Sequence, residues 1–146
     1  MSGIIVGVDG SGHSQQALRW AMREAALRHV PLTVLIVHQA ITGYLGRPID
    51  YPGDKPATEQ AREAAQAETD KVLAELGDQR PDSVTVNAVN GLPAEALLNA
   101  AADADMIVVG SRGAGGFARL LMGSVSTQVT HHAHCPVVVI PADNRA

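Results

Sequence analysis

The chain has 146 residues, of which 46% are apolar, 11 are Lys or Arg, 15 are Asp or Glu and one is a cysteine. We expect residues 1–146 to form a single domain, since this length suits one domain and can bury a sizeable core unaided. The apolar content argues against disorder, the lone cysteine excludes a disulfide scaffold, and the net charge of −4 argues against a broad basic surface for nucleic acid.

The first half of the chain alternates between strand and helix patterns. A β-branched run predicts a strand over 4–8, and an amphipathic helix is predicted to start near 11–14 and to stop at Pro31. A nearly continuous apolar run predicts a second, fully buried strand over 32–38. The following segment, 42–56, is rich in Gly and Pro. A loop of this length is either a lid or binding loop, or a disordered linker.

The second half continues the alternation. The predicted helices cover 57–76, a stretch that begins at Pro93, and 124–134, and the predicted strands cover 83–89, 106–109 and 137–140. Regular alternation of strands and helices predicts an α/β fold, a doubly wound parallel sheet with helices on both faces. Right-handed crossovers place a ligand crevice at the carboxyl ends of the strands, so the turns after the first and fourth strands are the expected site.

Targeting and membrane-spanning patterns are not recognisable in the sequence. Residues 1–6 have no basic stretch ahead of a long apolar one, which argues against a signal peptide. The longest apolar runs, such as 137–140, are far shorter than the roughly 20 residues that cross a bilayer. We therefore expect a cytoplasmic protein that binds neither membrane nor nucleic acid.

The densest glycine cluster directly follows the fourth predicted strand. It spans 110–116, and a Gly-Ser-Val-Ser motif at 123–126 is predicted to open the last helix. Glycine lets a backbone approach a ligand closely, and the exposed amides of a helix N-terminus favour an anion. The hydroxyls of Ser124 and Ser126 could donate further hydrogen bonds. These features together predict a phosphate-binding segment made of loop amides and a helix start.

Three better-known motifs do not fit. A P-loop is excluded because the chain has no Gly-Lys pair. Residues 113–118 match G-x-G-x-x-A, but no carboxylate follows in the region 132–140, where a dinucleotide site would place one for the ribose. A G-x-S-x-G element is also missing from the sequence, which argues against an α/β-type serine hydrolase.

The spacing G-x2-G-x9-G-[ST], at Gly110, Gly113, Gly123 and Ser124, resembles the nucleotide-binding signature of the universal stress protein family. The opening run 4–11 and the closing run 135–140 also resemble that family, and the likeness covers nearly the whole chain apart from 42–56. The resemblance implies a five-stranded sheet of order 3-2-1-4-5, bound ATP, and homodimers that pair through the last strand, Val137 to Ile140.

The resemblance also implies particular site residues. Asp9 would hold the ribose or a phosphate-bound Mg²⁺, and Val37 would lie against adenine. The main chain of Gly7, Val8 and Val109 would line the base and ribose pocket. The segment matched to phosphate binding comprises Gly110, Arg112, Gly113, Gly123, Ser124, Val125 and Ser126.

Some of these residues have simpler interpretations that the sequence leaves open. Asp9 ends a strand, where a carboxylate can accept two ribose hydroxyls or can cap the next helix. Arg112 is a phosphate partner or a solvated surface charge. His131, His132 and His134 with Cys135 suggest a metal site, but structural zinc sites usually combine two separated ligand groups, so none is predicted. Cys135 is instead predicted to be a small core residue.

Function therefore has a leading hypothesis and alternatives. The leading one is an ATP-binding homodimer that responds to the nucleotide in a stress response, with a downstream protein partner that the sequence does not identify. The alternatives are a slow ATP hydrolase or nucleotidyl transferase, a binder of AMP or cyclic AMP, and an interaction module whose glycines only form turns. We predict no catalytic residue, because no clear base for activating water stands out.

Overall fold

The computed structural model describes residues 3–10, 14–39, 54–111 and 118–141. Strands and helices alternate along these residues, with a short 3-10 helix after α2. Their bounds are β1 (Ile4–Val8), α1 (Ser14–Arg28), β2 (Leu32–Gln39), α2 (Asp54–Leu76), β3 (Val84–Gly91), α3 (Pro93–Ala100), β4 (Met106–Gly110), α4 (Ala118–His132) and β5 (Val137–Ile140). None of the helices in this part of the chain has both the length and the hydropathy that a membrane span requires.

The five strands form one parallel sheet in the order β3-β2-β1-β4-β5. This order confirms the predicted 3-2-1-4-5 arrangement and places β5 at an edge of the sheet. The chain passes from β1 to β2 on one side, and β4 lies on the other side of β1. The strand order therefore reverses between β1 and β4, which is where a doubly wound sheet opens a crevice at its carboxyl edge.

Alternate side chains of the strands enter two separate cores. On one face, β1 and β2 pack against α1 and α2, and the fully buried side chains there include Ile4, Leu18, Met22, Leu32 and Val72. We call this the α1–α2 core. On the other face, α3 and α4 cover the sheet, and the buried residues include Ile5, Leu35, Leu97, Ile107, Val109 and Val129. We call this the α3–α4 core. Each large aliphatic side chain buried here contributes about 1.5–3 kcal/mol.

Helix α2 begins at Asp54, earlier than the predicted residue 57 and inside the predicted loop. The expected boundary was Pro56, but proline is tolerated in the first turn of a helix, where its missing N–H would have no intrahelical partner. The rest of that predicted loop, 42–53, lies outside the described residues.

Helix α4 begins at Ala118 and ends at His132, so the predicted start at Ser124 was wrong. The physical reason lies in residues 118–122, Ala-Arg-Leu-Leu-Met, which are all strong helix formers. They extend the helix through Gly123, although glycine in a helix interior costs about 1 kcal/mol relative to alanine.

Polar contacts join α1 to α2 above a buried apolar seam. Arg19 Nε donates to Glu75 Oε2 at 2.9 Å, and Gln15 Nε2 donates to Glu68 Oε2. Beneath them Thr69, which is fully buried, donates its hydroxyl to the carbonyl of Ala65 at 2.7 Å. The hydrogen bond from Arg19 lowers the pKa of the Glu75 carboxyl, which makes the stability of this contact depend on pH.

The Glu75→Gln variant is expected to be less stable than the wild type at neutral pH, with a difference that shrinks in acid. Because the folded-state pKa of Glu75 is depressed, its contribution is present above the unfolded-state pKa and is lost as the pH falls through the folded-state value. Urea unfolding at about pH 7 and about pH 3 measures this difference. Glu63→Gln, at an exposed site on the same helix, is the control, and a pH-independent difference for Glu75→Gln would contradict the prediction.

Candidate functional site

Strands β1 and β4 separate at their carboxyl ends. Their pairing register ends at Val6 and Val108. In contrast, β1 stays paired with β2 as far as Val8, and β4 stays paired with β5 as far as Gly110. The last two residues of β1 and of β4 are therefore not paired with each other, at the edge of the sheet where a doubly wound fold places its crevice. We call this part of the carboxyl edge the cleft. These four residues are Gly7, Val8, Val109 and Gly110. All are predicted site residues, and the structure places them close together at one edge of the sheet.

Gly7 lies against helix α3. A Cβ atom placed on Gly7 would lie 2.9 Å from Cδ2 and 3.1 Å from Cδ1 of Leu97. The Leu97 side chain is 3% exposed and belongs to the α3–α4 core. The sequence predicted the helix that begins at Pro93 but offered no sign of a contact between its Leu97 and Gly7, because residues so far apart in the chain meet only through the fold.

Asp9 directly follows β1, as predicted, and is half-buried. The next residue, Gly10, has φ +82°, the left-handed region that glycine adopts without strain. This conformation turns the chain away from the strand direction immediately after Asp9. Asp9 therefore lies at the carboxyl edge of the central strand, at the point where the chain leaves the sheet.

Three of the predicted valines pack into one core. Val109 is a buried member of the α3–α4 core, and Val37 and Val125 pack against the same core while partly exposed. Val8, in contrast, packs against the α1–α2 core. Val109 is 1% exposed as a whole residue, so both its side chain and its main chain are covered, whereas Val37 keeps part of its surface open. A base lying against Val37 would thus approach from the α3–α4 face of the sheet.

The serine motif lies inside α4 rather than at its start. Ser124 is exposed, Val125 is half-buried and Ser126 is 9% exposed. Amides in a helix interior donate to carbonyls one turn earlier, so the predicted cradle of free amides at Ser124 was wrong. The exposed Ser124 still offers its hydroxyl as a donor. Gly123 also lies within the helix, and the carbonyl of Ser126 accepts a hydrogen bond from the Thr130 hydroxyl.

Of the glycine cluster at 110–116, the structure describes Gly110 and Ser111. Ser111 donates its main-chain N–H to the carbonyl of Ile140 at 2.9 Å, which joins the residue after β4 to β5. Arg112 and Gly113, both predicted to bind phosphate, lie outside the described residues. All the other predicted site residues are among those that the structure describes.

The histidine cluster lies at the opposite, amino edge of the sheet. His131, His132 and His134 are exposed, and Cys135 packs partly buried against the α3–α4 core. Burial raises the pKa of the Cys135 thiol, and the nearby negative charge of Asp105 raises it further, which favours the unreactive thiol form. Within the described residues, no three or more His, Cys, Asp or Glu side chains form a group that could hold a metal ion.

Comparison with known proteins gives a consistent result. A model of the universal stress protein family matches residues 1–141. A universal stress protein of Mycolicibacterium smegmatis is 37% identical over an alignment 146 positions long, which covers 99% of this chain and 49% of that protein. The chain thus spans about half the length of the curated relatives it matches.

Solved structures agree on the fold. The universal stress protein from Archaeoglobus fulgidus in complex with dAMP is 25% identical, with a TM-score of 0.62 and coverage of 96% of this chain and 98% of that one. A universal stress protein in complex with cAMP is 24% identical, with a TM-score of 0.66 and 96% coverage of both chains, and shows the same fold. The family match over 1–141 and the sheet order together show that this chain belongs to the universal stress protein family.

Proposed function

We propose that this chain binds ATP in the cleft between the carboxyl ends of β1 and β4. The observation that carries the proposal is the separation of the two strands beyond Val6 and Val108, with Asp9 held beside the opening. The spacing G-x2-G-x9-G-[ST] begins at the end of β4, on the same cleft. The dAMP complex of the Archaeoglobus fulgidus relative supports an adenine nucleotide as the class of ligand.

The described residues fit the parts of such a ligand. Asp9 would accept the ribose hydroxyls or hold a phosphate-bound Mg²⁺, and main-chain groups of Gly7, Val8 and Val109 would line the pocket. Adenine would lie against the half-buried Val37, since only 3% of the residues are aromatic and could stack on a base. Phosphate binding is assigned to Gly110, Arg112, Gly113, Gly123, Ser124, Val125 and Ser126.

The serines of α4 would bind phosphate through their hydroxyl groups and not through free main-chain amides. Since Ser124 lies within the helix, its exposed hydroxyl rather than its amide would donate to a phosphate oxygen. A hydroxyl donor is weaker than the combined amides of a helix end, so the loop between β4 and α4 would supply the main share of phosphate contacts. Binding would then depend on the side chain and main chain of Arg112 and on its neighbours in the loop.

Titration calorimetry of the wild type with ATP, AMP and cAMP, each with and without Mg²⁺, tests the proposal. We expect saturable one-to-one binding of ATP, and an increase in affinity with Mg²⁺ if Asp9 holds the metal rather than the ribose. Mass spectrometry of whatever heat-denatured protein releases provides an independent check. Tighter binding of AMP or cAMP would reassign the ligand, and no heat with any of the three would reject nucleotide binding.

The second part of the proposal is a homodimer that pairs through β5. β5 lies at the end of the described sheet, and Val139 on it is 40% exposed. Edge strands with exposed apolar residues tend to pair with another chain. β5 also pairs with β4 up to Gly110, and Ile140 accepts the N–H of Ser111. A hydrogen bond thus joins β5, the proposed dimer strand, to Ser111, which lies in the proposed phosphate segment. Nucleotide binding would in this way act on the dimer contact.

The Val139→Lys variant is expected to weaken the dimer by at least about tenfold, because an interface that covers this position would have to bury a charge. Sedimentation velocity over a range of concentrations, with and without ATP, measures the change. Val89→Lys is the matched control, since Val89 is 36% exposed and lies on β3, the other edge strand. Equal effects of the two variants would reject β5 as the dimer strand.

A further inference from the structure

We propose that Leu97 of α3 is a positioning residue for the nucleotide site, and that position 7 requires glycine because of Leu97 rather than because of the nucleotide. This inference rests on the proposed function, since it concerns the affinity of that same site. In this view Gly7 is a glycine because helix α3 comes close to it, and not because a ligand does. The feature behind it is the contact between Gly7 and Leu97 beneath the cleft.

The contact leaves no room for a side chain. A Cβ on Gly7 would lie 2.9, 3.1 and 3.5 Å from the Cδ2, Cδ1 and Cγ atoms of Leu97. Leu97 is 3% exposed and shares its core with Leu35, Ile107 and Val109. Because protein cores are close-packed, a leucine enclosed in this way cannot turn aside without moving its neighbours. A methyl group at position 7 would therefore displace α3 or the end of β1.

Helix α3 sits close to the sheet for a reason visible in its sequence. Ala94 and Ala101 precede and follow Leu97 on the same helical face, and both are 6% exposed. Their small side chains let the helix approach the strands, and Leu97 then projects between them onto Gly7. Leu97 is thus the large, buried side chain of α3 that meets β1 at Gly7.

The end of β1 depends on this contact more than its beginning does. At Ile5 the strand is paired on both sides, but beyond Val6 its register with β4 ends and only the pairing with β2 continues. Gly7 is the first residue of this one-sided segment and Asp9 follows two residues later. Packing against Leu97 therefore supports the part of β1 that is no longer paired with β4. It thereby positions Asp9, whose carboxylate the proposed site uses.

A double-mutant cycle with Gly7→Ala and Leu97→Ala tests the inference, with ATP affinity measured by calorimetry on variants shown to be folded. Gly7→Ala alone is expected to weaken ATP binding by about tenfold, within the range of coupling between residues in contact. The double variant is expected to bind ATP more tightly than Gly7→Ala, because the truncated Leu97 makes room for the new methyl group. If the double variant binds no better than Gly7→Ala, the nucleotide itself requires the glycine and the inference is overturned.

Two further variants separate positioning from simple loss of stability. Leu32→Ala removes a similarly buried leucine from the α1–α2 core at the amino end of β2, away from the cleft. It should lower the melting temperature while leaving the ATP affinity of the folded protein unchanged. An affinity loss as large as that of Leu97→Ala would overturn the positioning role. Leu97→Val, a milder truncation, replaces Leu97→Ala in the cycle if the latter does not fold.

The same cycle distinguishes failure of the inference from failure of the proposed function. Melting temperatures of the four proteins report the coupling between positions 7 and 97 without any ligand. We expect Gly7→Ala to lower the melting temperature less in the Leu97→Ala background than in the wild type. If the wild type binds no adenine nucleotide, the proposed function and the positioning role both fail, and the melting temperatures still decide why position 7 is a glycine. Independent effects on melting would overturn the contact itself.

Discussion

Replacing Asp9 by alanine is expected to weaken ATP binding by about a hundredfold, since a hydrogen bond to a charged group is worth about 1.5–3 kcal/mol and each 1.4 kcal/mol is a tenfold change. The half-buried Asp9 follows the central strand and precedes Gly10, whose φ of +82° turns the chain beside the cleft. Calorimetry with ATP measures the loss, and thermal unfolding shows that the variant is folded.

The control for Asp9→Ala is a second carboxylate at the same edge of the sheet. Glu95 is exposed in the first turn of α3, so Glu95→Ala should leave ATP affinity within about twofold of the wild type. If Asp9→Ala lowers the melting temperature and leaves the affinity unchanged, Asp9 acts as a turn or capping residue, the alternative that the sequence leaves open. That outcome would also remove the reason for a positioning role of Leu97.

The Gly3→Ala variant is expected to destabilise the fold by about 3 kcal/mol, since it combines strain from a left-handed backbone with a steric clash. Gly3 has φ +82°, and a Cβ there would lie 2.2 Å from the carbonyl oxygen of Pro31. That oxygen accepts the N–H of Ile4 at 3.0 Å. Gly3 also donates to Asp105 Oδ2 at 3.0 Å, and its carbonyl accepts the Asp105 N–H at 2.8 Å. Relief of the clash would disturb the entry into β1, the central strand.

Two other glycines allow the backbone strain and the steric clash in Gly3→Ala to be measured separately. Gly77 has φ +55°, and a Cβ added there would have no neighbouring atom within 4 Å, so Gly77→Ala should cost only the conformational strain, about 1–2 kcal/mol. Gly91 has open space around it and no positive φ, so Gly91→Ala should change stability by less than about 1 kcal/mol. Urea unfolding measures all three. A cost for Gly3→Ala no greater than that for Gly77→Ala would show that the chain before β1 moves away from Pro31.

The strands could be predicted from the sequence because parallel strands buried on both faces are nearly continuous apolar runs. The runs 4–8 and 32–38 predict strands, and the structure places β1 at Ile4–Val8 and β2 at Leu32–Gln39. Helix starts were less predictable. Pro56 and Gly123 both resemble boundaries, yet the first turn of α2 accommodates the proline and the interior of α4 accommodates the glycine.

The candidate site was predictable to the extent that it follows the strands. Gly7, Val8, Val109 and Gly110 border the cleft because they are the last residues of the two central strands, and the order of the elements already indicated that edge. The free amides expected at Ser124 were wrong for the same reason that the helix start was wrong. The match to the spacing G-x2-G-x9-G-[ST] at 110–124 is a property of the sequence. It therefore holds whether Ser124 begins the helix or lies inside it.

The sequence by itself determined the alternation of strands and helices and the edge of the sheet where a ligand would bind, because hydrophobic periodicity and strand ends are local properties of the chain. Only the tertiary structure decided which face of the sheet carries Val37 and Val109, where β1 loses its register with β4, and that Leu97 lies against Gly7. These features depend on contacts between residues far apart in the chain. Such contacts are selected by the packing of whole helices on the sheet, and no single segment encodes them.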